Sequence, residues 1–301
     1  MNKFKKTVLF LFIQSRAIFL KMSCLLGHHP EVLNIKDSLL YILKHRVSIS
    51  RYGDGELLLM EKYSIGFQQA DPTLASRLEQ VAKDPIPNHR VCIPGVFPSF
   101  FSSLSSINKE AIHFWEQFLF HGNGLSFFNK TFRSSPYLST NISRFYMHLV
   151  NKDMASQYID LWMKIFKDRK LLLVEGTGSK LGFYNDLFCG AAAIKRIVCP
   201  AENAFTHYQD ILDTTLKHAT DHLVLIALGP TATVLAYDLA KQGVQALDIG
   251  HIDIEYEWYK MGATEKVPVP WRYVNETGHR ISDISSEPEY INQIIARVGI
   301  S

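Results

Sequence analysis

Apolar and polar positions along this chain follow two different periods. From about residue 45 onward, short apolar runs alternate with longer stretches whose apolar residues recur at spacings of three and four. The short runs predict buried strands at 46–51, 90–93, 170–175, 193–199, 222–228 and 245–249. The longer stretches predict half-buried helices at 73–83, 109–120, 153–166, 205–216 and 231–241. This alternation is that of an α/β protein, Rossmann-like, with a mostly parallel sheet flanked by helices. In the second half each strand ends in glycine or proline before the next helix, which leaves ligand-binding loops at the carboxyl edge of the sheet. Residues 121–144, rich in Gly, Ser, Asn and Phe, read as a long loop that either covers a site or is an ordinary surface excursion. Neither a repeat nor a flexible linker divides the chain, so 41–301 are expected to form a single domain behind a basic apolar segment at 1–40.

Composition narrows the function. The chain has 301 residues, 47% of them hydrophobic and 20% charged, enough for a compact core. A net charge of +3, with lysines and arginines scattered through the body of the chain, argues against nucleic acid as a partner. Cys24, Cys92, Cys189 and Cys199 lie too far apart for a disulfide framework or a zinc site and read as free thiols. The N-terminal segment carries Lys3, Lys5, Lys6, Arg16 and Lys21 and no acid before Glu31, but its apolar runs are too short to span a bilayer. It reads either as a first helix packed on the domain or as a basic helix lying on an acidic membrane surface. The expected location is cytoplasmic, with peripheral contact at the inner face of the membrane on the second reading.

Four segments carry candidate chemistry. His251-Ile252-Asp253-Ile254-Glu255-Tyr256-Glu257 follows a strand; an extended run would put its three carboxylates on one face and a helical one would make Asp253 and Glu257 neighbours, so several negative charges are close together either way. Clustered carboxylates call for a cation, and oxygen-rich sites suit Mg²⁺ or Mn²⁺, although a solvated edge strand would show the same alternation. Arg51-Tyr52-Gly53-Asp54-Gly55-Glu56 places two glycines and two acids directly after an apolar run, as a ligand loop or as a hairpin turn. Gly176-Thr177-Gly178-Ser179, with Asn185 and Asp186 following, approximates the glycine-rich turn of nucleotide-binding folds and equally fits a structural strand-to-helix turn. Gly229-Pro230-Thr231-Ala232-Thr233 opens a helix whose threonines are placed to cap it.

These motifs together, with Asn185-Asp186-Leu187-Phe188, resemble the GT-D type glycosyltransferases, long catalogued as a bacterial domain of unknown function. The resemblance covers roughly residues 45–275. It implies a UDP-sugar donor, a divalent cation at a D-x-E motif falling on Asp253 and Glu255, and work on bacterial surface glycans or glycoproteins. By the same match Arg51, Asp54, Glu56 and the loops around Gly176 and Gly229 line the donor pocket. Glu257 and His251 are the candidates for general base, since an attacking hydroxyl needs a proton acceptor within hydrogen-bond reach. Two rivals stand beside this reading: an S-adenosylmethionine-dependent methyltransferase, suggested by Glu175-Gly176-Thr177-Gly178 after a strand, and a non-catalytic nucleotide-binding or scaffold protein.

Overall fold

The computed structural model describes residues 31–84, 92–97, 108–111, 114, 131–132, 136–272, 274 and 286–300. Among these residues eight strands form one parallel sheet: β1 (Ser48–Arg51), β2 (Cys92–Val96), β3 (Leu138–Ser139), β4 (Lys170–Gly176), β5 (Ala193–Cys199), β6 (His222–Ala227), β7 (Ala246–Asp248) and β8 (Ile294–Arg297). Their order is β3-β2-β1-β7-β6-β4-β5-β8. The helices are α1 (Ile35–His45), α2 (Asp54–Met60), α3 (Pro72–Lys83), α4 (Met154–Phe166), α5 (Tyr208–His218), α6 (Pro230–Lys241), α7 (Ile252–Lys260) and α8 (Pro288–Gln293).

Strand β4 shows why the pattern folds this way. Leu171 and Leu173 face one layer, with α1, α4 and α7, while Leu172 and Val174 face the other, with α5 and α6. A strand covered on both faces reads as a continuous apolar run, and all four residues are fully buried. The connections leaving β4 and β6 run in opposite directions, to β5 and to β7, which opens a crevice at the carboxyl ends of these two neighbours.

Several sequence expectations change. The Gly53–Gly55 segment is no hairpin turn: β1 pairs in parallel with both β2 and β7, and the chain enters α2 at Asp54. The acidic run is helical, inside α7. The threonines after Gly229 do not cap α6. Gly229 is the N-cap, Pro230 takes the first helical turn, and Thr231 lies inside the helix with its hydroxyl making no hydrogen bond among the described residues. The expected boundary at 40/41 falls within α1, whose Ile35, Leu39 and Ile42 belong to the main core. That helix is bounded by Asn34, which accepts the Asp37 N–H, and by Arg46 in the left-handed region at φ 50°. Among the described residues no helix is long and apolar enough to cross a membrane. The basic segment at 1–30, most of the helix expected at 109–120 and most of the loop expected at 121–144 lie outside the described residues.

Candidate functional site

A cleft of about 960 Å³ opens at the carboxyl edge of the sheet. Its walls are the loops after β1 (Arg51–Glu56), β4 (Gly176–Ser179), β6 (Leu228, Gly229) and β7 (Asp248–Asp253), closed by Thr140 and Asn141 and by 264–266.

The first wall is organised by Arg51. Its Nε donates to the Asp248 carbonyl at 3.0 Å and to Asp248 Oδ1 at 3.2 Å, and its backbone N–H donates to Oδ2 at 3.2 Å. Nη2 also pairs with Oδ1 and Nη1 donates to Ser143 Oγ. The strand is tied to α6 through Ser50 Oγ, which donates to the Thr233 carbonyl, and Thr233 Oγ1, which donates to the Arg51 carbonyl. Gly250 sits at φ 41°, and a Cβ there would fall 1.8 Å from Arg51 Nη2, so only glycine lets the guanidinium lie across β7. Burial raises the Asp248 carboxyl, with the Arg51 charge and its hydrogen bonds opposing. Glu56, in the first turn of α2, accepts the Gly53 N–H at 2.6 Å. Its carboxyl is pushed up to about 7, first by burial and then by the charge of Asp248.

The second wall is α7, and it splits the acidic run. Asp253 Oδ1 accepts from Gly182 N–H and from Asn185 Nδ2, both at 2.9 Å, while Oδ2 pairs with Arg272. Glu257 Oε1 accepts from the same Asn185 at 2.7 Å and pairs with Arg272 at 3.3 Å. Glu255 turns the other way: its Oε2 accepts the backbone N–H groups of Tyr146 and Met147, each at 2.8 Å. Side chains two apart on a helix leave its axis about 200° apart, so Asp253 and Glu255 address different surroundings. Burial raises the Asp253 carboxyl, opposed by Arg272 and the Asn185 hydrogen bond. Arg272 is itself fully buried and also donates to the carbonyls of Ser179 and Lys180, so one guanidinium fastens the glycine-rich loop to α7.

That loop is set from beneath by Glu175, fully buried at the end of β4. Its oxygens accept from Leu181 N–H at 2.7 Å, Arg196 Nη1 at 2.6 Å and the Tyr290 hydroxyl at 2.9 Å. The Thr177 and Ser179 amides are spent internally, on the Cys199 and Gly176 carbonyls. A Cβ on Gly176 would fall 2.9 Å from Ala201 Cα, so this glycine serves packing against the next loop rather than ligand approach alone. At Gly229, φ is 53° and the Phe67 ring occupies the Cβ position.

The cleft thus brings together Arg51, Gly53, Asp54, Gly55, Glu56, Gly176, Thr177, Ser179, Gly229, His251 and Asp253 from the sequence-predicted set. Glu255, Glu257, Gly178, Asn185, Asp186, Pro230 and Thr231 are not on its lining. Asn185 supports Asp253 from behind, and Asp186 is exposed, accepting from the Tyr256 hydroxyl at 2.8 Å and pairing with Lys260. Asp253 and Glu255 therefore do not form a chelating pair, and among the described residues no three His, Cys, Asp or Glu side chains cluster as an all-protein metal cage. An ion shared with an anionic ligand would need only one carboxylate at the cleft wall, and Asp253 is the acid of this pair that lines it. Sequence reasoning missed Arg272, Ser143 and Phe67. Arg272 carries no local signature; the signal was the acidic run itself, which, once helical and buried, requires a cation from elsewhere.

Comparison with known proteins places this arrangement. The model of the glycosyltransferase GT-D fold matches residues 49–277. A probable glycosyl transferase Gly of Streptococcus gordonii is 38% identical over 273 residues, covering 89% of this chain and 39% of the relative. The glycosyltransferase GlyD of Streptococcus pneumoniae serotype 4 is 36% identical over 272 residues, covering 89% of this chain and 32% of the relative. The chain therefore spans less than two fifths of the length of these curated relatives. Among solved structures, a domain of unknown function 1792 described as having a distinct glycosyltransferase fold superposes with a TM-score of 0.86 at 39% identity, covering 93% of this chain and all of that one. A glycosyltransferase of the same domain type from Streptococcus sanguinis gives 0.85 at 37% identity, over 90% of this chain and all of that one.

Proposed function

The chain belongs to the glycosyltransferase family built on the GT-D fold, and from that membership we propose that it transfers a hexose from a UDP-sugar to a bacterial surface glycan or glycoprotein. The observation that carries the reading is the convergence of Arg51, the Gly176 and Gly229 loops and Asp253 on one cleft at the switch point of a parallel sheet. The N-terminus of α6 presents the positive end of its dipole beside Gly229, where a diphosphate would gain from it. Arg51 supplies a guanidinium already oriented by Asp248 and Ser143, so little ordering is needed when an anion arrives. A cytoplasmic enzyme meets such donors where they are made, and peripheral membrane contact through the basic N-terminal segment would bring it near surface-glycan acceptors.

Sugar transfer breaks the bond between the sugar C1 and the diphosphate, and negative charge accumulates on the departing oxygen. A divalent cation, Mn²⁺ or Mg²⁺, would offset that charge when bound, with Asp253 as its protein ligand and the donor phosphates supplying others. Gly182, Asn185 and Arg272 hold Asp253 in place against the cleft, and Glu255 holds the Tyr146–Met147 backbone behind it. The methyltransferase rival has less support, because the acid at the end of β4 on which it leans is sealed by Arg196, Tyr290 and Leu181.

Calorimetric titration with UDP, in the presence and absence of Mn²⁺, tests the reading, with S-adenosylmethionine and the Asp253→Ala/Glu255→Ala variant in parallel. Metal-dependent UDP binding that the variant loses supports it. Binding of S-adenosylmethionine, or UDP binding indifferent to both Mn²⁺ and the substitutions, would end it.

A further inference from the structure

Glu56 differs from the two fully buried acids of the cleft wall, Asp248 and Asp253. Asp248 has Arg51, and Asp253 has Arg272 and Asn185. Glu56 has one hydrogen bond from another residue, Gly53 N–H to Oε2, and among the described residues it makes no ion pair. The nearest guanidinium, Arg51, is committed to Asp248 through Nε, Nη2 and its backbone N–H, and to Ser143 through Nη1. Charges bearing on Glu56 come from β7, where Asp248 repels a second negative charge, and from β1, where Arg51 partly relieves it. The Tyr52 hydroxyl, itself made harder to ionise by burial and by Glu56, stays neutral. Glu56 is thus a partly buried carboxylate at the cleft wall, held by backbone N–H groups and no side chain, with a neighbour that discourages its charge.

We propose that Glu56 is the proton acceptor for the attacking hydroxyl, a role that rests on the nucleotide-sugar reading of this cleft. As the acceptor oxygen forms its bond to the sugar C1, the C1–O bond to the diphosphate breaks and its electron pair leaves with the diphosphate. The hydroxyl O–H bond breaks at the same time, and its proton passes to the carboxylate of Glu56. Holding its carboxyl near 7 makes the group basic enough to take the proton while leaving it ionised in much of the protein at neutral pH. Of the two candidates from the sequence, Glu257 has its Oε1 fixed by Asn185 and Arg272 away from the lining, and His251 lies on the lining at the N-cap of α7.

The test uses the full chain, UDP-glucose and UDP-galactose as donors, water as acceptor, and UDP release as the readout, with UDP titration run beside it. If wild type and Glu56→Gln both fail to bind UDP, the nucleotide-sugar reading falls and this role falls with it. With UDP bound equally by both, Glu56→Gln is expected to lose about 10²- to 10⁴-fold in kcat. The acid limb of the wild-type pH profile should vanish with it, and formate should partly restore turnover in Glu56→Ala. Turnover within about threefold of wild type, loss of UDP affinity in step with turnover, or an acid limb that survives in Glu56→Gln would each overturn the proposal. So would a wild type that binds UDP yet releases none from either donor at any pH.

Discussion

The guanidinium of Arg272 lies against the carboxylate of Asp253, both sealed from solvent, and the same guanidinium reaches Glu257 and two carbonyls of the glycine-rich loop. One cation thus neutralises two buried acids and fixes the position of a loop that lines the cleft. A buried charge left alone costs far more than the pair contributes, so the partners stand or fall together.

Arg272→Met should therefore lower stability by about 3–5 kcal/mol, read from urea unfolding. The double variant Arg272→Met/Asp253→Asn should recover part of that loss, because one uncompensated carboxylate has been removed. A double variant no more stable than the single would show that Arg272 acts by packing alone.

Glu255→Ala should orphan the backbone donors of Tyr146 and Met147. The expected loss is about 3 kcal/mol, from two buried N–H groups without acceptors. Hydrogen exchange offers the local measurement. The amides of Tyr146 and Met147 should lose protection ahead of the β4 amides, and uniform loss across the sheet would contradict this assignment.

Glu56 makes stability depend on pH in a particular direction. Its folded carboxyl is raised from 4.5 to about 7, so the protonated form is favoured by the fold. The associated stability is fully present below pH 4.5 and is lost as pH rises through 7. Glu56→Gln should accordingly be more stable than wild type at pH 8, by about 1–3 kcal/mol, with the difference shrinking toward pH 5. Thermal unfolding across that range checks it, and a gain largest at acid pH would reverse the assignment.

Gly250→Ala introduces a Cβ where Arg51 Nη2 now lies, at a backbone φ of 41°. The left-handed backbone alone should cost about 1–2 kcal/mol, and displacing the guanidinium releases Asp248 from its partner. UDP affinity should fall along with the melting temperature. Unchanged affinity in a destabilised variant would separate Arg51 from the donor site.

Strand Lys170–Gly176 was legible to within one residue, because burial on both faces writes itself as an unbroken apolar run. Helix α2 was not: Gly53 and Gly55 around an acid carry the chemistry of a tight turn, and only parallel pairing of β1 on both sides excludes a hairpin. The acidic run was recognisable as a cluster, yet its division into a cleft-facing Asp253 and an inward Glu255 depends on the helical period, which the sequence left open beside the extended one. Arg272 and Ser143 were invisible for a plainer reason. Their partners are 15 or more residues away along the chain, beyond any local pattern: Arg272 meets Glu257 across 15 residues and Ser179 across 93, and Ser143 meets Arg51 across 92.

The acid beneath the glycine-rich loop finds its last partner near the far end of the described residues. Glu175 takes a hydrogen bond from Tyr290, which lies 115 residues further along, and Arg196, its ion-pair partner, is held by Gln293. Synthesis runs from the amino end, so a nascent chain that has completed β4 and β5 still has this carboxylate without one donor and its arginine without the acceptor for Nε. The inner wall of the cleft becomes whole only when α8 and β8 dock, and until then the emerging chain exposes the flank of β5 as an unpaired edge. The order of translation therefore delays a competent cleft until nearly the whole of this segment has left the ribosome.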